Sequence, residues 1–131
     1  MTIQIKKEID RSVLEDIFVT ALEGGSNYWY YLSDEACRKI REAVPKSEDP
    51  YLSTAIVKAI LDHDVAVPVN DAEDEELVVG FIEKKTMADR LQLLSDSEHS
   101  WALEAQISGD GDADSADIVF QYLTMGEVVY G

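Results

Sequence analysis

Residues 21–31 read Ala-Leu-Glu-Gly-Gly-Ser-Asn-Tyr-Trp-Tyr-Tyr. Glu23, Gly24, Gly25, Asn27, Tyr28 and Trp29 are the types that could hold a small planar ligand such as a nucleobase. The rings stack, glycine admits close backbone approach, and the amide both donates and accepts. The plainer alternative is a strand whose rings fill a core behind a helix-ending glycine pair. Four consecutive aromatics in a strand place two rings on each face. One pair would then need a second layer, another subunit or a ligand.

Other chemistry finds less support. Asp110, Asp112 and Asp114 alternate as at the start of a calcium loop. The sixth position of that loop is Ser115 rather than Gly and the twelfth is Gln121 rather than Glu, so the EF-hand pattern fails. Helix capping by Asp112 or Asp114 is the simpler role. Cys37 sits within a predicted helix, where a thiol is ordinarily inert. His63 and His99 have no neighbours suggesting a triad or a metal cluster. No glycine-rich phosphate loop is present, so neither cofactor nor metal is expected. Carboxylates are numerous enough that a carboxylate-based enzyme stays open as an alternative.

Charge is the unusual feature. The 131 residues carry 27 acids and 11 bases, a formal net charge of −16. Residues 1–65 hold 12 acids and 8 bases, whereas residues 66–131 hold 15 acids and only 3 bases. Such a surface repels nucleic acid and anionic membrane, since phosphate binding rests on Lys and Arg. The densest acids are Asp71, Glu73, Asp74, Glu75 and Glu76, then Asp110, Asp112, Asp114 and Asp117. They either confer solubility or imitate phosphates to fill a basic groove. No apolar run reaches the roughly 20 residues of a membrane span. The first residues lack the apolar stretch of a secretory signal, and the single cysteine permits no internal disulfide. A cytoplasmic setting is expected.

The positioning elements are legible from start and stop signals. Residues 2–7 alternate as a half-buried strand. Ser12 to Glu15 has the capping-box pattern and opens a helix with Leu14, Ile17, Phe18, Ala21 and Leu22 on one face. Gly24 and Gly25 should end it in the left-handed conformation. Residues 27–32 form a strand. Ser33 starts a second helix, ended by Pro45, and Asp49 with Pro50 starts a third, to about residue 63. Residues 65–70 and 77–85 make a hairpin with Pro68 off the bonded edge and Gly80 at a bulge or close contact. Thr86 to Asp89 opens a fourth helix, residues 97–107 a fifth, and residues 114–125 a sixth that Gly126 closes. Glu127 to Gly131 reads as a terminal strand. This order predicts one α+β domain, a mainly antiparallel sheet covered by several helices.

The segments Glu23-Gly-Gly-Ser-Asn-Tyr-Trp29 and Gly126-Glu-Val-Val-Tyr-Gly131, with the intervening Asp-Ala-Asp-Ser-Ala-Asp-Ile-Val-Phe-Gln121, resemble an uncharacterised family of small proteins carried by phages, prophages and bacterial mobile elements. The resemblance implies an accessory protein acting in the bacterial cytoplasm. It carries over to Glu23, Gly24, Gly25, Asn27, Tyr28, Trp29, Gln121, Gly126, Glu127, Tyr130 and Gly131.

The leading expectation is a non-enzymatic protein that binds a small, nucleotide-like ligand or a host protein, as a counter-defence factor. An acidic nucleic-acid mimic that inhibits a host DNA- or RNA-binding protein is the alternative. Neither nucleic acid nor membrane is a direct partner, and a homo-oligomer is a further arrangement. The two matching segments are expected to meet, Tyr130 stacking near Trp29 and Gln121 facing Glu23 or Asn27.

Overall fold

The computed structural model describes residues 8–131. The expected strand at 2–7 lies outside them. Helix α1 spans Arg11–Thr20 and runs into a π-helical turn at Ala21–Gly25. Strand β1 is Tyr30–Tyr31, α2 is Asp34–Ala43 and α3 is Leu52–His63. Strands β2 (Val67–Asp71) and β3 (Val78–Ile82) follow. Helices α4 (Lys84–Ser95), α5 (Ser100–Ser108) and α6 (Ala113–Met125) complete the chain.

The fold is α+β, with an antiparallel sheet of order β1-β2-β3. Helix α6 lies at its centre, packed against α1, the π-turn, α4, α5 and β3. Every residue from Ser115 to Thr124 except Ile118 is buried, as expected for a helix covered on all sides. Phe18, Trp29, Phe120, Ile17, Ile40, Ile56, Ile60 and Ile82 are among the largest side chains sealed in the core, a Phe or Ile being worth about 1.5–3 kcal/mol of burial. Among the described residues no helix is long and apolar enough to cross a membrane.

Several boundaries differ from expectation. The Ser12 capping box does not form, because α1 already begins at Arg11 behind Asp10. Gly24 and Gly25 are not left-handed; the positive-φ glycines are Gly109 and Gly126. Gly25 is required instead for contact, since a Cβ there would sit 2.6 Å from the Ala113 carbonyl oxygen. Helix α3 starts at Leu52, with Asp49 accepting from the Tyr51 N–H at 3.0 Å and from the Thr54 hydroxyl. Helix α4 starts at Lys84, ahead of Thr86, whose hydroxyl donates to the Glu83 carbonyl at 3.2 Å.

Other signals were followed. Ser33 accepts from the Ala36 N–H at 3.1 Å. Asp112 and Ser115 form a reciprocal capping box, and Gly126 ends α6 at φ 79°. Pro68 lies on the part of β2 that β1 does not reach, since β1 pairs only with Asn70 and Asp71. Gly80 faces the last turn of α6, where a Cβ would fall 2.1 Å from the Thr124 carbonyl oxygen. The sheet irregularity lies beside it, between Val69 and Asn70.

Candidate functional site

The expected strand at 27–32 shrinks to Tyr30–Tyr31 because residues 26–29 form a turn. The Ser26 N–H donates to the Ala21 carbonyl at 2.8 Å, closing the π-turn, and the Trp29 N–H donates to the Ser26 carbonyl at 3.1 Å. A turn brings positions three apart to the same side, where a strand would alternate them. Ser26 and Trp29 therefore both point at α6.

Their common target is Asp117. Its Oδ1 accepts from the Ser26 hydroxyl and the Trp29 indole N–H, both at 2.7 Å. Its Oδ2 accepts from the Tyr28 hydroxyl at 2.5 Å and from Gln121 Nε2 at 3.2 Å. Four donors fill the roughly four lone-pair sites of a carboxylate. Asp117 was grouped with the surface acids, but it is 7% exposed. Its spacing four residues before Gln121, which puts both on one face of α6, is the one sequence signal that could have singled it out.

Gln121, fully buried, joins this centre to the C-terminal segment. Its Oε1 accepts from the Val129 and Tyr130 N–H groups, each at 2.9 Å, and its Nε2 donates to the Tyr130 carbonyl at 2.9 Å. The side-chain amide thus reads the backbone of residues 129–130 as a neighbouring strand would. Residues 127–131 are an irregular tail rather than the expected strand. The Tyr130 ring stacks on Trp29, centroids 5.1 Å apart and planes 10° from parallel. The Tyr130 hydroxyl donates to Asp71 Oδ2 at 2.6 Å.

The two sequence-distant segments do meet, through Tyr28, Trp29, Gln121 and Tyr130. Gln121 faces Tyr28, Asp117 and the tail, not Glu23 or Asn27. Glu23 accepts from Ser53 on α3 at 3.3 Å, and Gly24, Asn27 and Glu127 are exposed. Ser26 is the member that sequence reasoning missed, while Asp71 and Asp117, expected only as surface acids, prove to be hydrogen-bonded parts of the cluster.

A cleft of about 210 Å³ opens beside the stack, lined by Tyr28, Trp29, Asp71, Glu73, Tyr130 and Gly131. Its electrostatics are one-sided. Burial, the Asp117 hydrogen bond and the charges of Asp117 and Asp114 push the Tyr28 hydroxyl well above its ordinary pKa. Burial, the Asp71 contact and the charge of Glu73 push Tyr130 up to about 12. The Tyr130 hydroxyl and the backbone N–H groups of Glu73 and Asp74 hold Asp71 below the usual carboxylate value. Tyr31, on β1, is raised mainly by Glu75, then by burial and Asp34. Glu73, Asp74, Glu75, Glu76, Asp110, Asp112 and Asp114 are exposed, Asp112 serving as the cap of α6. Among the described residues no Lys, Arg or His pairs with Asp71, Glu73, Asp74, Glu75 or Asp114. No cluster of three potential metal ligands occurs among them either.

Comparison with family models, with curated proteins and with solved structures gave no match.

Proposed function

We propose that this chain is a non-enzymatic binding protein that docks on a basic protein surface through its tyrosine face. The observation that carries the reading is the convergence of two acidic segments on one aromatic patch. The end of β2 and the loop after it bring Asp71 and Glu73 to Tyr130 and the cleft beside Tyr28, and α6 brings Asp117 to the Tyr28 hydroxyl, with Asp114 in its first turn. Tyr28 is 52% exposed. Tyrosine supplies contact area at little entropic cost, and an acidic rim steers a basic partner toward it.

Binding is favoured over catalysis by the same geometry. Both oxygens of Asp117 are taken by four donors, and both oxygens of Asp71 accept hydrogen bonds. Both carboxylates are thus engaged in holding the turn, the tail and the loop in place. The nucleic-acid-mimic alternative is the case in which the partner's basic surface otherwise binds phosphates. The phage and mobile-element context implied by the motif resemblance makes that partner a bacterial host protein.

The test is capture from bacterial lysate by the immobilised chain, run beside two variants with equal charge. One carries Glu73→Gln, Glu75→Gln and Asp114→Asn; the other carries Glu42→Gln, Glu48→Gln and Asp96→Asn, away from the face. The expected result is a set of basic proteins retained by the second variant and lost by the first. Equal retention by both variants contradicts the reading.

A further inference from the structure

The cleft beside the Trp29–Tyr130 stack has a narrower chemistry than the face around it. Its volume of about 210 Å³ falls below the roughly 300–1,000 Å³ of pockets that enclose drug-sized ligands. Asp71 and Glu73 would repel the phosphates of a nucleotide brought into the cleft. A single side chain is the right scale.

Two wall residues, Tyr28 and Tyr130, present aromatic surface, with the sealed Trp29 ring behind Tyr130. Two others, Asp71 and Glu73, present carboxylates. The Asp71 carboxylate is oriented by the Tyr130 hydroxyl at 2.6 Å and by the N–H groups of Glu73 and Asp74 at 2.7 and 3.0 Å. The Glu73 side chain has no hydrogen bond or ion pair among the described residues and so keeps its acceptors open. Aromatic faces with carboxylates beside them attract a cation through the ring quadrupole and through charge together. Among protein cations, guanidinium is planar, more weakly hydrated than ammonium, stacks on aromatic rings and donates in a fork that matches a carboxylate.

We infer that this cleft receives an arginine side chain of the docking partner, its guanidinium held against the Tyr28 and Tyr130 rings and bonded to Glu73. The inference rests on the basic-partner reading above and names the group that would anchor it.

Nitrogen-labelled protein carrying Trp101→Phe leaves the Trp29 indole N–H as the single indole signal, since Trp101 is the other tryptophan and is half-exposed on α5. It is titrated by NMR with Nα-acetyl-arginine N-methylamide, with the citrulline counterpart and with adenosine monophosphate. The arginine compound is expected to move the Trp29 indole signal and the Glu73 and Tyr130 amide signals. Glu73→Gln should weaken it about fivefold, the scale of one partly exposed ion pair, with an unchanged melting temperature. The uncharged citrulline compound and the nucleotide should leave the signals in place. Equal shifts from citrulline, stronger shifts from the nucleotide, or no shift from arginine up to its solubility limit would each overturn the inference. If arginine fails while capture of basic proteins still depends on the face, the cleft assignment falls and docking stands. If arginine binds while capture is indifferent to the face, the cleft stands and the docking reading falls.

Discussion

The Trp29 indole N–H donates to Asp117 Oδ1 at 2.7 Å across 88 positions of sequence. That bond fixes the turn at 26–29 on the central helix and sets the plane on which Tyr130 stacks. Asp117→Asn keeps the size but turns an amide N–H₂ toward hydroxyl and amide donors. Leaving buried donors unpaired costs about 1–3 kcal/mol per group. The urea midpoint is expected to fall with an unchanged slope; a midpoint equal to that of the parent chain contradicts the assignment.

Gln121 and Asn27 share a motif resemblance but not an environment. Gln121→Ala removes the hydrogen bonds that hold residues 129–130 and leaves a hole beside Asp117. A loss of about 1–3 kcal/mol is expected for the polar groups set free, with faster hydrogen exchange at the Val129 and Tyr130 amides. Asn27→Ala, at an exposed position, should lie within about 0.5 kcal/mol of the parent. Comparable losses in both variants would refute the distinction.

Gly80→Ala tests the seat of α6 on the sheet. The added methyl would meet the Thr124 carbonyl oxygen at 2.1 Å, backbone that cannot swing aside. Overpacking of this kind costs about 1–3 kcal/mol, and the melting temperature should drop accordingly. Full stability in Gly80→Ala would mean that β3 and α6 are not in register as described.

Alkaline stability follows from Tyr130. Its folded pKa, raised to about 12, lies above the unfolded value of about 10. The stabilisation is therefore fully present below about pH 10 and is lost as pH rises toward 12. Asp71 works in the opposite direction. Its pKa is lowered, so its contribution is present above the unfolded value near 3.9 and fades as pH falls below it. In Tyr130→Phe the alkaline loss between pH 10 and about 12 should shrink when thermal unfolding is followed against pH. An alkaline limb identical to the parent's would contradict the Asp71–Tyr130 coupling.

The sequence was informative where a local rule decided the outcome and silent where distant residues did. Ser33, Asp112 and Gly126 act within one turn of backbone, and their roles were legible. The β2–β3 hairpin was equally legible, from two apolar runs around an acidic turn. At Gly24 and Gly25 the local rule pointed to a left-handed cap, but α1 continues as a π-turn. There Gly25 answers to Ala113, 88 residues onward. The four aromatics read locally as a strand, and Asp117 overrode that by drawing in Ser26, Tyr28 and Trp29 together. Asp117 itself was hidden among many acids, since composition cannot show which one is buried. The meeting of Trp29 with Tyr130 was foreseen because both segments were unexplained by solubility. The bond from Tyr130 to Asp71 was not, because no periodicity links a tail to the end of a distant strand.

The dependence of partner binding on salt tests the docking claim most directly. A captured basic protein is purified and its Kd for the parent chain and for the Glu73→Gln, Glu75→Gln, Asp114→Asn variant is measured from low salt upward. Contact through an acidic rim is screened within about 3 Å in 1 M salt, so the parent's affinity should fall steeply and linearly in log–log form. The variant should bind more weakly at low salt, fall less steeply, and converge on the parent at high salt. Equal affinities at every salt concentration, with no salt dependence, would contradict docking through the acid-ringed tyrosines.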